Sequence, residues 1–399
     1  MSIKKEKIPI VRFKDFSEPW IKNQLSEVAE FSKGRGYSKK DLQSHGTPII
    51  LYGRLYTSYE SVISNVETYA NLEENSVVSE GGEVIIPASG ESADDISRAS
   101  CVIDRGIILG GDLNIVRPHE YLNSLFIAIT LSNGSQQREL SKRAQGKSVV
   151  HLHNSDLKAV KLFYPSYEEQ SAIGSLFSTL DDLLASYKDN LTNYQSLKVT
   201  MLSKMFPKVG QTVPEIRLDG FEGEWENKIL SEVTNITMGQ SPKSENYTDN
   251  PNDYILVQGN ADIKDKQVVP RLWTTEVTKM AEIGDIILTV RAPVGDIGKT
   301  DYNVVIGRGV AAIKGNDFIF YTLEKMKMTG FWNKFSTGST FESISSNDIK
   351  EAIIQIPTLE EQKAIGAYFS NLDNLIVAHQ EKISQLETLK KKLLQDMFI

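Results

Sequence analysis

The stretch P-S-Y-E-E-Q-S-A-I-G-S-L-F-S-T-L-D-D-L at residues 165–183 returns 192 residues later as P-T-L-E-E-Q-K-A-I-G-A-Y-F-S-N-L-D-N-L at 357–375. The match runs without a gap from Pro165–Phe206 onto Pro357–Phe398, with 17 of 42 positions identical, well above chance. Self-similarity over so long a period marks a duplicated unit. The same offset carries Gly146-Lys147-Ser148 onto Gly338-Ser339-Thr340 and Asp156 onto Asp348. A second match opens each unit: Pro9, Arg12, Phe16, Trp20 and Leu25-Ser26-Glu27-Val28 fall on Pro214, Arg217, Phe221, Trp225 and Leu230-Ser231-Glu232-Val233, at an offset of 205. Because the offsets differ, each unit has a matched start, a divergent middle that is longer in the first unit, and a matched end.

The matched ends predict long helices. Ser166 and Thr358 each stand three residues before a glutamate, Glu169 and Glu361, which is the pattern of a capping box. Apolar residues then recur in alternating steps of four and three. They are Ile173, Phe177, Leu180, Leu184, Tyr187, Leu191 and Tyr194 in the first copy, and Ile365, Phe369, Leu372, Ile376, His379, Ile383 and Leu386 in the second. That is a heptad seam, the period of a coiled coil. Lys198 and Lys390 interrupt it at equivalent places and read as lysines that snorkel where packing has thinned. Two similar seams on one chain most simply bury each other, antiparallel, about an internal pseudo-two-fold. Met205-Phe206 shortly precedes Pro214 and Trp225, so the symmetry places Met397-Phe398 near Pro9 and Trp20.

The middles read as mixed α/β. Strand-like runs are Thr47–Tyr52, Glu83–Ile86, Gly106–Leu109, Tyr254–Val257, Asp285–Val290 and Val304–Ile306, and short helices are expected at Leu122–Leu131 and Phe318–Phe335. The fold class is therefore α+β: two mixed α/β domains separated by two long antiparallel coiled-coil helices in a pseudo-two-fold tandem repeat. The expected boundaries are a first domain at 1–155, a central helical region and linker at 156–213, a second domain at 214–347 and a C-terminal helical region at 348–399.

Composition narrows the chemistry. The chain has 399 residues, 40% of them hydrophobic and 24% charged, which excludes wholesale disorder. Lys and Arg number 44 against 52 Asp and Glu, a net charge of −8 that repels a polyanion unless the cations are gathered in patches. The single cysteine, Cys101, rules out an intrachain disulfide and reads as a buried small residue. The basic N-terminus, with Lys4, Lys5 and Lys7, leads into no signal-peptide core, and no apolar run approaches a membrane span, so a cytoplasmic protein without a membrane partner is expected. Gly146-Lys147-Ser148 and Gly298-Lys299-Thr300 each end like a phosphate loop, but Ser141 and Pro293 stand where its first glycine belongs. His151 and His153 lack third and fourth ligands, so no metal is expected. No hydrolase or metalloprotease motif is present, and no catalytic residue is assigned.

Basic and polar loops remain. Ser32–Lys40 holds Lys33, Arg35, Lys39 and Lys40 with Tyr37 and no acid, and its counterpart in the second unit carries Gln240, Ser241 and Lys243. Arg138, Lys142, Arg143 and Lys147 form a further basic stretch, read as a loop, and Arg291 and Lys299 complete the candidates in the second unit. Such side chains suit contacts to phosphates and base edges of DNA.

With these residues the chain resembles the DNA-specificity subunits of Type I restriction-modification systems. The resemblance rests on the twice-present Glu-Glu-Gln helix start, on Gly338-Ser339-Thr340 and Ser346–Ile349 before the second copy, on the P-x-x-R…F…W openings, and on Gly284-Asp285-Ile286-Ile287-Leu288, with Gly82–Ile86 as a looser match. It implies a non-catalytic reader whose two target-recognition domains each read half of a split double-stranded DNA target, with the helices setting the spacer. It also implies two methylation subunits using S-adenosylmethionine and restriction subunits using ATP and Mg²⁺, with no cofactor in this chain. From the residues alone, a coiled-coil scaffold joining two protein-binding modules remains the alternative.

Overall fold

The computed structural model describes residues 8–146, 149–335 and 343–399. The N-terminal lysines Lys4, Lys5 and Lys7, the candidate Lys147 with Ser148, and Gly338-Ser339-Thr340 lie outside the described residues. The chain divides into two compact units, residues 1–188 with 381–399, and residues 189–380. Each holds one strand-rich domain and a segment of both long helices, Tyr167–Lys204 and Leu359–Asp396.

The divergent middles share a topology. In the first unit a five-stranded sheet has the order Ala29–Lys33, Leu113–Pro118, Glu83–Pro87, Ser100–Val102, Val62–Ile63. In the second, a six-stranded sheet begins Ile236–Met238, Val310–Ile313, Ile286–Thr289, Ile297–Lys299. Beside each lies a smaller sheet built on one parallel pair, Thr47–Ile50 with Ile108–Leu109 and Tyr254–Val257 with Val304–Ile306. Glu83 opens one central strand, and Asp285 stands just before the equivalent one. Both are buried, and each closes the preceding turn: Glu83 accepts from the N–H groups of Glu80 and Gly81 at 2.6 and 2.9 Å, Asp285 from that of Glu282 at 2.8 Å. The looser match at Gly82–Ile86 thus has the same structural role as Gly284–Leu288.

The matched motifs meet in space. Arg12 donates from Nε and Nη2 to both carboxylate oxygens of Glu169, at 2.7 Å each, and Arg217 does the same to Glu361 at 2.8 and 2.7 Å. This corrects the capping-box expectation by half. Ser166 and Thr358 accept the N–H of Glu169 and Glu361 at 3.4 Å, but the carboxylates turn to the arginines instead of back to the cap. Gln170 accepts the N–H of Asn123 at 2.8 Å and Gln362 accepts from the Asn316 side chain at 3.0 Å; both asparagines cap a following helix, Ser124–Leu131 and Asp317–Met328. The helix expected over Phe318–Phe335 stops at Met328, because Gly330 turns the chain at φ 70°, and a short 3₁₀ turn Phe331–Phe335 follows.

Chain ends close as the symmetry requires. Phe398 packs against Phe126, Phe177 and Trp20 with ring centroids at 5.8, 5.9 and 6.5 Å, and Phe206 against Phe318, Trp225 and Phe369 at 5.5, 5.9 and 6.1 Å. The N–H of Val11 donates to the Asp396 carbonyl, and that of Ile216 to the Lys204 carbonyl, both at 2.9 Å. These aromatic clusters anchor the main core of each unit.

Within each unit the helix segments run antiparallel: Lys390 bonds Asp181 and Glu387 bonds Lys188 in the first, while Asp373 bonds Lys198 and His379 meets the Tyr194 ring in the second. Ile173, Phe177, Leu180, Leu184, Ile365, Phe369 and Leu372 are buried in the seam. Leu191, Ile376 and Ile383 are half-buried, as a seam between only two helices leaves its flanks open. Snorkelling fails at Lys198, which is 5% exposed and donates to Glu324 at 2.9 and 3.0 Å and to Asp373 at 2.6 Å. Burial pushes its pKa below the usual lysine value, against the pull of Glu324. Lys390, its equivalent, is partly exposed and bonds Asp181.

Candidate nucleic-acid interface

Two backbone crossings set the geometry. The N–H groups of Gly34 and Arg35 donate to the carbonyls of Leu113 and Leu109 at 2.9 and 3.2 Å, and those of Gly239 and Gln240 to Val310 and Ile306 at 3.0 and 2.8 Å. A Cβ on Gly34 would stand 1.9 Å from the Gly110 carbonyl oxygen, and one on Gly239 would stand 2.0 Å from that of Gly307. Only glycine permits so close an approach. The next strand ends repeat as well: Ala88 donates to Asp112 and Leu152 to Ala88, as Val290 donates to Gly309 and Ile344 to Val290. The loops at 34–40, 51–54, 88–90 and 110–112 of the first unit therefore match those at 239–243, 258–260, 290–292 and 307–309 of the second. Their side chains do not match: Arg35 answers Gln240, Ser89 answers Arg291, and Gly111 answers Arg308.

On the first unit Lys33, Arg35, Lys39 and Lys40 are exposed. Tyr37 is half-buried and latches the loop to its neighbour, its hydroxyl donating to the Asn71 carbonyl at 2.9 Å and accepting the Glu73 N–H at 3.1 Å. Arg138, Lys142 and Arg143 stand on a helix, Gly134–Arg143, and not on the expected loop. Gln136 and Leu140 bury one face of it, a spacing too short to betray a helix by apolar periodicity. Arg138 and Lys142 are exposed, whereas Arg143 pairs with Glu139 at 2.9 Å.

On the second unit Gln240, Lys243 and Arg291 are exposed. Lys299 is committed elsewhere, bonded to Asp317 and lying over the Phe320 ring at 5.4 Å. Ser241 and Arg291 are brought together in a cleft of about 340 Å³ that also holds Gln258, Asn260 and Arg308. Arg308, Gln258 and Asn260 escaped the sequence reading. The signal that could have found the first is an arginine between two glycines, Gly307 and Gly309. Among the described residues no three His, Cys, Asp or Glu side chains gather as metal ligands, and no helix is long and apolar enough to cross a membrane.

A family model described as the Type I restriction modification DNA specificity domain matches residues 17–195 and again 222–388. A protein assigned as the MjaX type I restriction enzyme specificity subunit of Methanocaldococcus jannaschii is 29% identical over 72% of this chain and 70% of its own. The MjaVIII specificity subunit of the same organism is 20% identical over 94% of this chain and 91% of its own. The solved Type I restriction-modification S subunit from M. genitalium has the same fold, with a TM-score of 0.64 at 16% identity over 98% of this chain and 99% of that one. Matched in both halves by one family model, the chain belongs to the Type I restriction modification DNA specificity family and is a non-catalytic DNA-specificity subunit of such a system.

Proposed function

We propose that the chain reads a bipartite target in double-stranded DNA, the domain at 1–155 reading one half and that at 214–347 the other. The helical regions at 156–213 and 348–399 set the unread gap and carry two methylation subunits and, in a restricting complex, restriction subunits. One observation carries this reading: four loops on an equivalent backbone present different side chains in the two units. A repeated scaffold with unlike side chains suits two unlike half-sequences. S-adenosylmethionine, ATP and Mg²⁺ belong to the partners in this scheme. The net charge of −8 is tolerable because exposed cations gather on these loops and partners complete the grip on DNA.

The test replaces residues 214–347 by the corresponding segment of a relative with a different target and maps methylated sites in DNA. One half of the target should change while the other stays. A hybrid altered in both halves contradicts the assignment, as does binding that is equal for all sequences at every salt concentration.

A further inference from the structure

We infer that Arg291 and Arg308 together read a guanine in the half-site of the second unit, an inference that rests on the half-site reading above. Both guanidinium groups are exposed, and among the described residues neither has a carboxylate partner. They converge from separate loops on the 340 Å³ cleft, and among the described residues no acid lines it. Their backbones are fixed. The Arg308 N–H donates to Ser241 Oγ at 3.1 Å, and the Gly307 N–H to the Val257 carbonyl at 2.7 Å. A Cβ on Gly309 would lie 2.0 Å from the Gln258 carbonyl oxygen, so that turn is seated flush on the neighbouring loop. Arg291 follows Val290, whose N–H is bonded to Gly309 and whose carbonyl is bonded to Ile344. Gly259 and Gly309, which carry no side chain, also line the cleft.

Arginine presents a planar fork that matches O6 and N7 of guanine in the major groove, but it binds phosphate equally well. The internal repeat separates these uses. Phosphates look alike in any half-site, so a phosphate contact at a scaffold position serves both units. Base contacts must differ where half-sequences differ. The first unit has Ser89 and Gly111 at the positions of Arg291 and Arg308. Cations confined to one unit at matched positions are therefore placed to read a base.

The experiment uses the assembled complex of this chain with its methylation subunits, and a random-sequence duplex library from which bound and methylated molecules are sequenced. The wild-type complex should require a guanine in one half-site. Arg291→Ala and Arg308→Ala should lower affinity for that sequence roughly tenfold or more and erase the preference at one position, leaving the other half-site unchanged. Arg308→Lys, which keeps the charge but not the planar fork, should weaken the preference while the salt dependence stays the same. Variants that keep the guanine preference but bind all sequences more weakly, with a salt slope lower by about one, would overturn the inference in favour of a phosphate contact and leave half-site reading intact. A wild-type half-site without any guanine overturns it too. A wild-type complex with no bipartite preference at all overturns the half-site reading itself.

Discussion

Arg12 and Glu169, 157 residues apart in the chain, form a two-pronged ion pair, and Arg217 with Glu361, 144 residues apart, form the same pair in the second unit. Glu169 and Glu361 are each 1% exposed in their side chains. The start of each unit is thereby fastened to the first turn of its long helix, which is why two short motifs so distant in sequence recur together.

Removing one partner leaves the other buried and unpaired, which costs more than the pair itself contributes. Arg217→Ala should therefore destabilise the second unit by about 3 kcal/mol. Denaturant unfolding gives the total, and hydrogen exchange locates it. A loss below about 0.5 kcal/mol, the scale of an exposed pair, would mean the clamp is ornamental.

Gly239→Ala places a methyl group 2.0 Å from the Gly307 carbonyl oxygen, so the 239–243 loop must lift from its neighbour. The expected result is a folded protein whose second half-site loses discrimination. Site mapping on the variant checks this, and unchanged discrimination would show that the crossing does not position the loops.

Phe398→Ala opens a cavity among Trp20, Phe126 and Phe177. A loss of about 3–5 kcal/mol is expected, with Phe206→Ala costing a similar amount in the second unit. Near-neutral unfolding curves for either would contradict the anchoring role.

Burial pushes the Cys101 thiol up to about 12. In the unfolded chain it loses its proton near the ordinary thiol value, so the unfolded state releases a proton first and stability falls as pH rises from about 9 toward 12. Cys101→Ala should flatten that fall. Thiol-specific alkylation of the native protein near pH 9 should be slow and should accelerate on unfolding; fast native labelling would refute the burial.

Helix length should tune the spacer. Four residues inserted after Asn190 add roughly 6 Å of helix and disturb the heptad seam only locally. The unread gap should lengthen by about one or two base pairs with both half-sequences kept. A methylating variant with its gap unchanged would refute control by the helices.

The repeat, the seams and the closure of chain ends were legible because each rests on residues that the fold uses twice, such as Phe206 and Phe398. The divergent middles were legible as strands but not as sheets. Their equivalence is carried by backbone hydrogen bonds at Gly34 and Gly239, which fix no side chain beyond the glycines. The role of Lys198 is not legible in the sequence because Glu324 and Asp373, the carboxylates it shares with Lys266, come from separate segments. Arg308 was missed for a similar reason: nothing in its neighbourhood along the chain indicates that Arg291 lies across the same cleft. Arg138 and Lys142 stood out as charge, yet their helix has too little apolar face to announce itself.

The glycine crossings also bear on how such a reader changes over generations. Because Gly34 meets Gly110 and Gly239 meets Gly307 through backbone alone, the residues beside them are free to vary without disturbing the strands beneath. In the proposed reading, a new target letter would then arise by a single codon change at a position such as 35, 240, 291 or 308, with no compensating change in the core. On that reading, diversification and foldability are uncoupled, and a lineage would explore many specificities on one unchanged frame.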